Sequence, residues 1–146
     1  MASDHLCHYL TKDKFQAIYL ITEPYLYKNK VPGLSHLYNV YGTQNSSRAI
    51  ILAPKLIPLF QNNDLTDKDH TVVLYDDGEQ QCYFASVYCD GNMPSSVSNT
   101  LVKMCDFFSE NHSNAIFGLD SNSHSTLWNS PEIDSRGLLW RFGRMV

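Results

Sequence analysis

Three apolar segments of the sequence each end in a side chain that could take part in chemistry. Glu23 follows the run AIYLIT, Tyr88 closes the run QCYFASVY, and Asp120 follows the run AIFGL. Because side chains alternate along a strand, Glu23 is predicted to share a face with Tyr19 and Ile21. A carboxylate there needs water, a cation or a donor, and two such strand ends side by side would suit Mg²⁺. Taken singly, each carboxylate is better explained as an exposed strand end.

The segment DSNSHS, which begins at Asp120, places polar side chains directly after a predicted strand. Alternation puts Asp120 on the face of Ile116 and Gly118, at the rim of the sheet. Asp120 could accept a proton from a water molecule, and Asn122 could hold that water or a phosphate oxygen. Asp, Asn and Ser are also common in turns that follow strands, and spacing alone favours this plainer interpretation.

A longer run, FGLDSNSHSTLWNSPEIDSRG (117–137), resembles the D-x-N-x-H-S-x-x-W-x-S…R-G signature of non-LTR retrotransposon endonuclease domains. These domains belong to the endonuclease/exonuclease/phosphatase superfamily. Upstream, ITEPYLYKNKVPG is similar to the strand and loop that carry the metal-binding glutamate of the family. SRAIILA and ASVYCDGN match family strands in order and rough spacing. The resemblance covers about residues 17–137 and implies a DNase I-like fold.

The resemblance implies roles for four side chains. Glu23 would bind the metal, Mg²⁺ or Mn²⁺, and Tyr88 would contact the scissile phosphate or order the attacking water. Asp120 would align or deprotonate that water, and Asn122 would position it beside the phosphate. The implied function is a Mg²⁺-dependent DNA endonuclease that nicks the target site of a retrotransposon.

The segment EPYLYKNK brings two aromatic and two basic side chains close together in sequence. Lys28 and Lys30, interleaved with Tyr25 and Tyr27, could contact DNA phosphates and stack on bases, although a solvated loop explains them equally well. The resemblance implies that Arg136 holds the signature loop or touches the DNA backbone. It also implies DNA as the partner, fusion to a reverse transcriptase in the complete element, and a nuclear site of action.

The sequence departs from the family at both ends. The family begins with a strand that bears an asparagine near the metal, and it ends with strands that carry an aspartate and a paired Asp-His group. Neither pattern is found, so we expect a single partial domain over residues 1–146, truncated at both ends. Two alternatives to an active endonuclease follow. One is a catalytically inactive remnant of the domain, and the other is a superfamily phosphodiesterase that acts on a small phosphate ester.

Composition indicates an ordinary globular protein and limits how it could bind nucleic acid. Hydrophobic residues make up 43% of the 146 residues, and the net charge is −4. This charge argues against binding through a broad basic face, but a few local cations would suffice. The four cysteines form no CxxC pair, so free thiols in a reducing compartment are expected. No signal peptide is evident and no apolar run approaches the about 20 residues of a membrane helix, so we expect a soluble, intracellular protein.

The remaining pattern predicts the elements that must position these side chains. The turn sequence DDG (76–78) predicts a hairpin between its flanking strands, and a helix is predicted from about Ser96 to Glu110. The predicted buried stripe of this helix comprises Leu101, Val102, Cys105 and Phe108. The other predicted elements are a helix over 5–16, strands over 17–22, 37–41, 48–53, 71–75, 81–88 and 115–119 (the last of them buried), a loop over 121–136 and the start of a helix over 137–142. This order predicts an α/β or α+β layered sandwich in which mixed β-sheets are flanked by helices.

Overall fold

Short apolar runs separated by turn residues form strands at all six of the predicted positions. The computed structural model describes residues 17–135, with the exception of residues 29, 35, 44–45, 94–96, 125 and 127–128. The elements of this part are β1 (Tyr19–Thr22), β2 (Tyr38–Tyr41), β3 (Ala49–Pro54), β4 (Leu59–Gln61), β5 (His70–Asp76), β6 (Gln81–Tyr88), α1 (Asn99–Glu110) and β7 (Ala115–Asp120). The predicted helices over 5–16 and 137–142, and Arg136, lie outside the described residues.

The strands form two sheets in the described part of the chain. The first sheet has the order β1-β3-β2 and is antiparallel throughout. The second has the order β4-β5-β6-β7, in which β5 and β6 form the predicted hairpin. The pair β6 and β7 is parallel, because α1 connects them as a crossover. The second sheet is therefore mixed, as predicted.

Apolar clusters hold these layers together. Ile51 of β3 and Val73 of β5 are buried in the cluster that lies between the two sheets. Side chains alternate along β5, so its neighbour Val72 points to the opposite face, where it packs in a cluster with Met104 of α1. Leu34, from the connection between β1 and β2, is buried in a third cluster on the outer face of the first sheet. The layer order is connection, sheet, sheet and helix, which confirms the predicted α/β sandwich.

The helix differs from its prediction at its start and on one side of its buried stripe. Its first residue is Asn99 rather than Ser96, because the side chain of Ser98 caps it by accepting the backbone N–H of Leu101 at 3.0 Å. Val102 is 47% exposed, so its predicted burial was wrong, and Met104 is fully buried instead. Residues one apart on a helix point about 100° away from each other, whereas residues three apart share a face.

Two features of the second sheet were not predicted. The three-residue strand β4 and a short 3-10 helix over Asn63–Leu65 precede β5, and the side chain of Asn62 caps that helix. The strand β7 is half-buried rather than buried, since Ile116 is 52% and Leu119 is 38% exposed. In the described part of the chain, no helix is long and apolar enough to cross a membrane.

Candidate active site

The parallel pairing of β6 and β7 places two of the predicted site residues side by side. Tyr88 and Asp120 are register partners at the last position of each strand. The backbone N–H of Cys89 then donates to the carbonyl of Asp120 at 2.8 Å, which extends the pairing by one step. Because parallel strands end at the same edge of a sheet, both side chains lie at this edge.

A glycine allows the first sheet to approach the same edge closely. A Cβ atom at Gly118 would lie 2.7 Å from the Cβ of Leu20, which is shorter than any real contact between carbon atoms. The two strands β1 and β7 therefore meet only because residue 118 has no side chain. This contact brings the end of β1, and with it Glu23, to the ends of β6 and β7.

Glu23, after β1, and Asn122, after β7, both lie near the phenol of Tyr88. Both side chains lie close enough to interact with the Tyr88 hydroxyl. Burial raises the pKa of Tyr88 above its usual value, and the negative charge of Glu23 adds to the rise. The structure thus brings Glu23, Tyr88, Asp120 and Asn122, all predicted as site residues, into one cluster.

The backbone conformation of Glu23 differs from the expectation of simple strand alternation. β1 ends at Thr22, before the Glu-Pro pair as the sequence predicts, but Glu23 has a φ of 48°. A left-handed residue does not continue the pleat of a strand. The prediction that Glu23 shares a face with Tyr19 and Ile21 assumed that the strand continues through Glu23, and this geometry is wrong. Asn122 has a φ of 44°, so two left-handed residues flank Tyr88.

The loop after β7 is an Asx turn as well as part of the cluster. The backbone N–H of Asn122 donates to Oδ1 of Asp120 at 3.1 Å, which is the pattern of such a turn. The side-chain Nδ2 of Asn122 donates to the carbonyl of Cys89 at 2.9 Å. The plainer interpretation of the segment and the chemical one are therefore both compatible with its geometry, because the turn places the Asn122 side chain at the Cys89 carbonyl, next to Tyr88.

An open cleft of about 710 Å³ lies beside these residues. Leu20 and Thr22 of β1 line one wall, and the consecutive residues 118–124 line the other. The far end of the loop is fixed at His124, whose Nδ1 lies 3.1 Å from Oγ of Ser130 and whose carbonyl accepts the backbone N–H of Asp134 at 3.1 Å. Gly118, Leu119 and Asp120 all line the cleft, so both faces of the end of β7 border it.

Arg48, which no sequence pattern indicated as a site residue, lies beneath the cluster. Its Nε and Nη2 atoms donate to the two carboxylate oxygens of Asp69 at 2.6 and 2.8 Å, and its Nη1 atom donates to Asp90 at 2.8 Å. Its guanidinium carbon lies 4.7 Å from the centre of the Tyr88 ring. The hydrogen bonds that Arg48 donates to both aspartates raise the pKa of its guanidinium above its usual range. Because the three partners are far apart in sequence, no local pattern could have predicted this network.

The segment after Glu23 presents cations and aromatic rings to solvent. Tyr25 is 65% and Tyr27 is 61% exposed. Nζ of Lys28 lies 5.4 Å from the centre of the Tyr27 ring, and Lys30 pairs with Tyr27 through two backbone hydrogen bonds of 3.0 and 3.1 Å. The hydrogen bonds define the shape of this turn, while the rings and ammonium groups stay accessible to a ligand.

The donor set at the cluster suits some metal ions and not others. Among the described residues, no group of three or more His, Cys, Asp or Glu side chains lies close enough to hold one ion. Zinc in structural sites requires four such ligands, whereas Mg²⁺ keeps several waters and is held by one or two carboxylates. The exposed carboxylate of Glu23, beside oxygen and amide donors, fits a hard cation such as Mg²⁺ or Mn²⁺.

Comparison with solved structures places this geometry in a known fold. The endonuclease domain of TRAS1, a telomere-specific non-LTR retrotransposon, matches 96% of this chain with a TM-score of 0.68 and 23% sequence identity. This chain has the fold of that endonuclease domain. The match confirms the fold that the sequence resemblance implied, and the chain spans 61% of the length of the TRAS1 chain. No protein-family model matches the sequence, and no curated protein matches it.

Proposed function

We propose that this chain is a metal-dependent endonuclease domain that hydrolyses phosphodiester bonds of DNA. The observation that carries the proposal is the meeting of Glu23 and Asn122 at the phenol of Tyr88, the register partner of Asp120. These four residues are the types that the chemistry needs, since they provide a metal-binding carboxylate, a proton acceptor and two positioning groups. The fold of the TRAS1 endonuclease domain supports DNA as the substrate.

Each residue of the cluster has a separate role in the reaction. Asp120 accepts a proton from the water that attacks phosphorus in line with the leaving 3′ oxygen. Asn122 is held by the carbonyl of Cys89 at 2.9 Å, so its amide keeps a fixed direction toward the reacting groups. Tyr88 lies close to Glu23 and Asn122, and its hydroxyl would contact the phosphate or order the attacking water. When Mg²⁺ or Mn²⁺ is bound at Glu23, it supplies positive charge against the developing charge of the phosphate oxygens.

The exposed turn after Glu23 is the proposed contact with the duplex. Lys28 and Lys30 neutralise phosphates, and the exposed rings of Tyr25 and Tyr27 stack on bases or sugars. Arg136 would add a backbone contact. In a retrotransposon, the nick would supply a 3′-OH primer to a fused reverse transcriptase in the nucleus.

Nicking of supercoiled plasmid tests this function directly. The purified chain is expected to convert supercoiled plasmid to open circles with Mg²⁺ or Mn²⁺ and to stop when EDTA is added. Asp120→Ala should lower the rate about 10²- to 10⁴-fold, the range for loss of a general base. Asp106→Ala is the matched control, because it removes an exposed carboxylate from α1, away from the cluster.

The site of the metal is tested in the same assay. Glu23→Gln should raise the Mg²⁺ concentration that gives half-maximal nicking, since the amide is a weaker ligand than the carboxylate. Equal nicking by the wild type and Asp120→Ala would point to a contaminating nuclease and overturn the proposal. A folded protein that hydrolyses a small phosphodiester but leaves plasmid intact would assign the site to the other class of substrate.

A further inference from the structure

We infer that Arg48 is a positioning residue that fixes the ring of Tyr88 in the cluster. This inference rests on the proposed endonuclease function. It identifies a residue beneath the cluster on which that activity depends. Arg48 does not have to touch DNA or a metal ion to act, because its effect passes through the ring against which it packs. Arg48 makes contacts of three kinds: with two carboxylates, with the ring, and with the backbone at Glu23.

The two carboxylates fix the plane of the guanidinium. Asp69 binds it as a fork, with both of its oxygens accepting N–H groups at 2.6 and 2.8 Å, and Asp90 binds a third N–H at 2.8 Å. The side chain of Arg48 is 29% exposed and those of Asp69 and Asp90 are 16% and 18% exposed. Three charge-assisted hydrogen bonds in this shielded setting leave the group little freedom to turn.

The fixed guanidinium lies against the ring that bears the candidate hydroxyl. The guanidinium carbon is 4.7 Å from the centre of the Tyr88 ring, within the distance of a cation–π contact. The backbone N–H of Tyr88 also donates to the carbonyl of Asp69 at 2.8 Å. Ring and backbone of Tyr88 are thus both held by the same network, which limits where the hydroxyl points.

The backbone of Arg48 extends the network to the other sheet. Its carbonyl accepts the N–H of Glu23 at 2.7 Å, at a residue whose φ of 48° is rare for a residue with a side chain. One residue therefore connects the strand end that carries Glu23 with the ring that Glu23 reaches. A lysine could supply the charge, but it has neither the fork for Asp69 nor a plane to lay on the ring.

Kinetics separate positioning from DNA binding. Arg48→Met should lower kcat for plasmid nicking by about 100-fold with KM unchanged, which is the size expected from a small misplacement of a reacting group. Arg48→Lys should recover only a part of this loss. Lys103→Met is the matched control, because it removes an exposed cation from α1 and should leave kcat and KM unchanged.

A double-mutant cycle tests whether the effect passes through Tyr88. In a Tyr88→Phe background the hydroxyl is already absent, so Arg48→Met should then cost less than threefold. Equal losses in the two backgrounds would show that Arg48 acts elsewhere and would overturn the proposal, as would a change confined to KM. If Arg48→Met does not fold, Asp69→Asn loosens the guanidinium while keeping it in place, and the same cycle is run with that variant.

Aromatic NMR spectra give a reading that needs no activity. In protein with ring-¹³C tyrosine, the Tyr88 signal is identified by its absence from Tyr88→Phe. Arg48→Met should shift this signal and leave the other tyrosine signals in place, while Lys103→Met should leave all of them. An unmoved Tyr88 signal would overturn the positioning role even in an active protein. A wild-type protein that does not nick plasmid would instead refute the endonuclease function, and the spectra would still decide whether Arg48 fixes the ring.

Discussion

Replacement of Gly118 by alanine tests whether the junction of the two sheets depends on a missing side chain. The new Cβ would lie 2.7 Å from the Cβ of Leu20, 3.1 Å from its Cδ1 and 3.5 Å from its Cγ. Carbon atoms pack best at about 3.5–4.0 Å, so the first contact is too short by about 1 Å. A change of rotamer moves Cδ1 and Cγ but not Cβ, so β1 or β7 has to shift.

The expected cost follows from two opposing effects. Forcing an extra methyl group into a packed contact destabilises a protein by about 1–3 kcal/mol. The loss of glycine flexibility in the unfolded chain stabilises it by about 0.4–1 kcal/mol. Gly118→Ala should therefore lower the free energy of unfolding by about 1–2 kcal/mol in urea denaturation followed by circular dichroism.

Two further variants test whether the contact with Leu20 causes the loss of stability. Gly91→Ala is the matched control beside the same cluster, because its Cβ would meet Asn122 at an ordinary 3.7 Å, and it should be neutral or slightly stabilising. Leu20→Ala should not rescue Gly118→Ala, since alanine keeps the Cβ that makes the shortest contact. A Gly118→Ala protein as stable as Gly91→Ala would show that the strands do not meet at this distance. A shift of β7 should also displace Asp120 and slow nicking.

Two other predictions concern the charges of the loops. Burial alone would raise the pKa of Asp67, but hydrogen bonds with His70 and Thr100 outweigh it and hold the pKa below its usual range. The carboxylate therefore stabilises the fold above its unfolded pKa of about 3.9, and this contribution fades as the pH falls below that value. The gap in unfolding free energy between wild type and Asp67→Asn should be present at neutral pH and narrow in acid, and a constant gap would contradict the linkage. For DNA binding, replacing Lys28 and Lys30 by glutamine should reduce the slope of log Kd against log salt by about 1 per lysine, as measured by fluorescence anisotropy, and an unchanged slope would place both away from the phosphates.

Most of the strands could be predicted from the sequence because each is a local apolar run between turn residues. β6 has the predicted boundaries, and the turn at 76–78 sets its pairing with β5. β4 was missed because it has three residues, of which Phe60 is 60% exposed, so it carries no clear alternation. It is a strand because β5 offers it a free edge, and that is a property of the assembled sheet.

The individual residues of the candidate site could be predicted from the sequence, but the way in which they come together could not. Strand ends and the Asx segment indicated Glu23, Tyr88 and Asp120, since these features are local. The meeting of the sheets depends on the close approach at Gly118, and the support of Tyr88 depends on Arg48, which pairs with residues 21 and 42 positions away. Neither set of contacts produces a periodic pattern in the sequence, because both form only when the two sheets pack together.

Glu23 and Asn122, the two residues on either side of Tyr88, have left-handed backbone conformations. These conformations give a physical reason for the way the site is assembled. Asn122 tolerates the conformation and uses it to form its turn, whereas Glu23 bears a larger cost, of the order of 1–2 kcal/mol for a residue with a Cβ atom. The hydrogen bond of 2.7 Å from the Glu23 N–H to the Arg48 carbonyl offsets part of that cost. An extended Glu23 would continue the pleat of β1 instead of turning at the junction, so the strain is a condition for bringing its carboxylate to Tyr88. Strain of this kind persists only where surrounding contacts over-determine it, and here these contacts are the Arg48 network and the glycine junction.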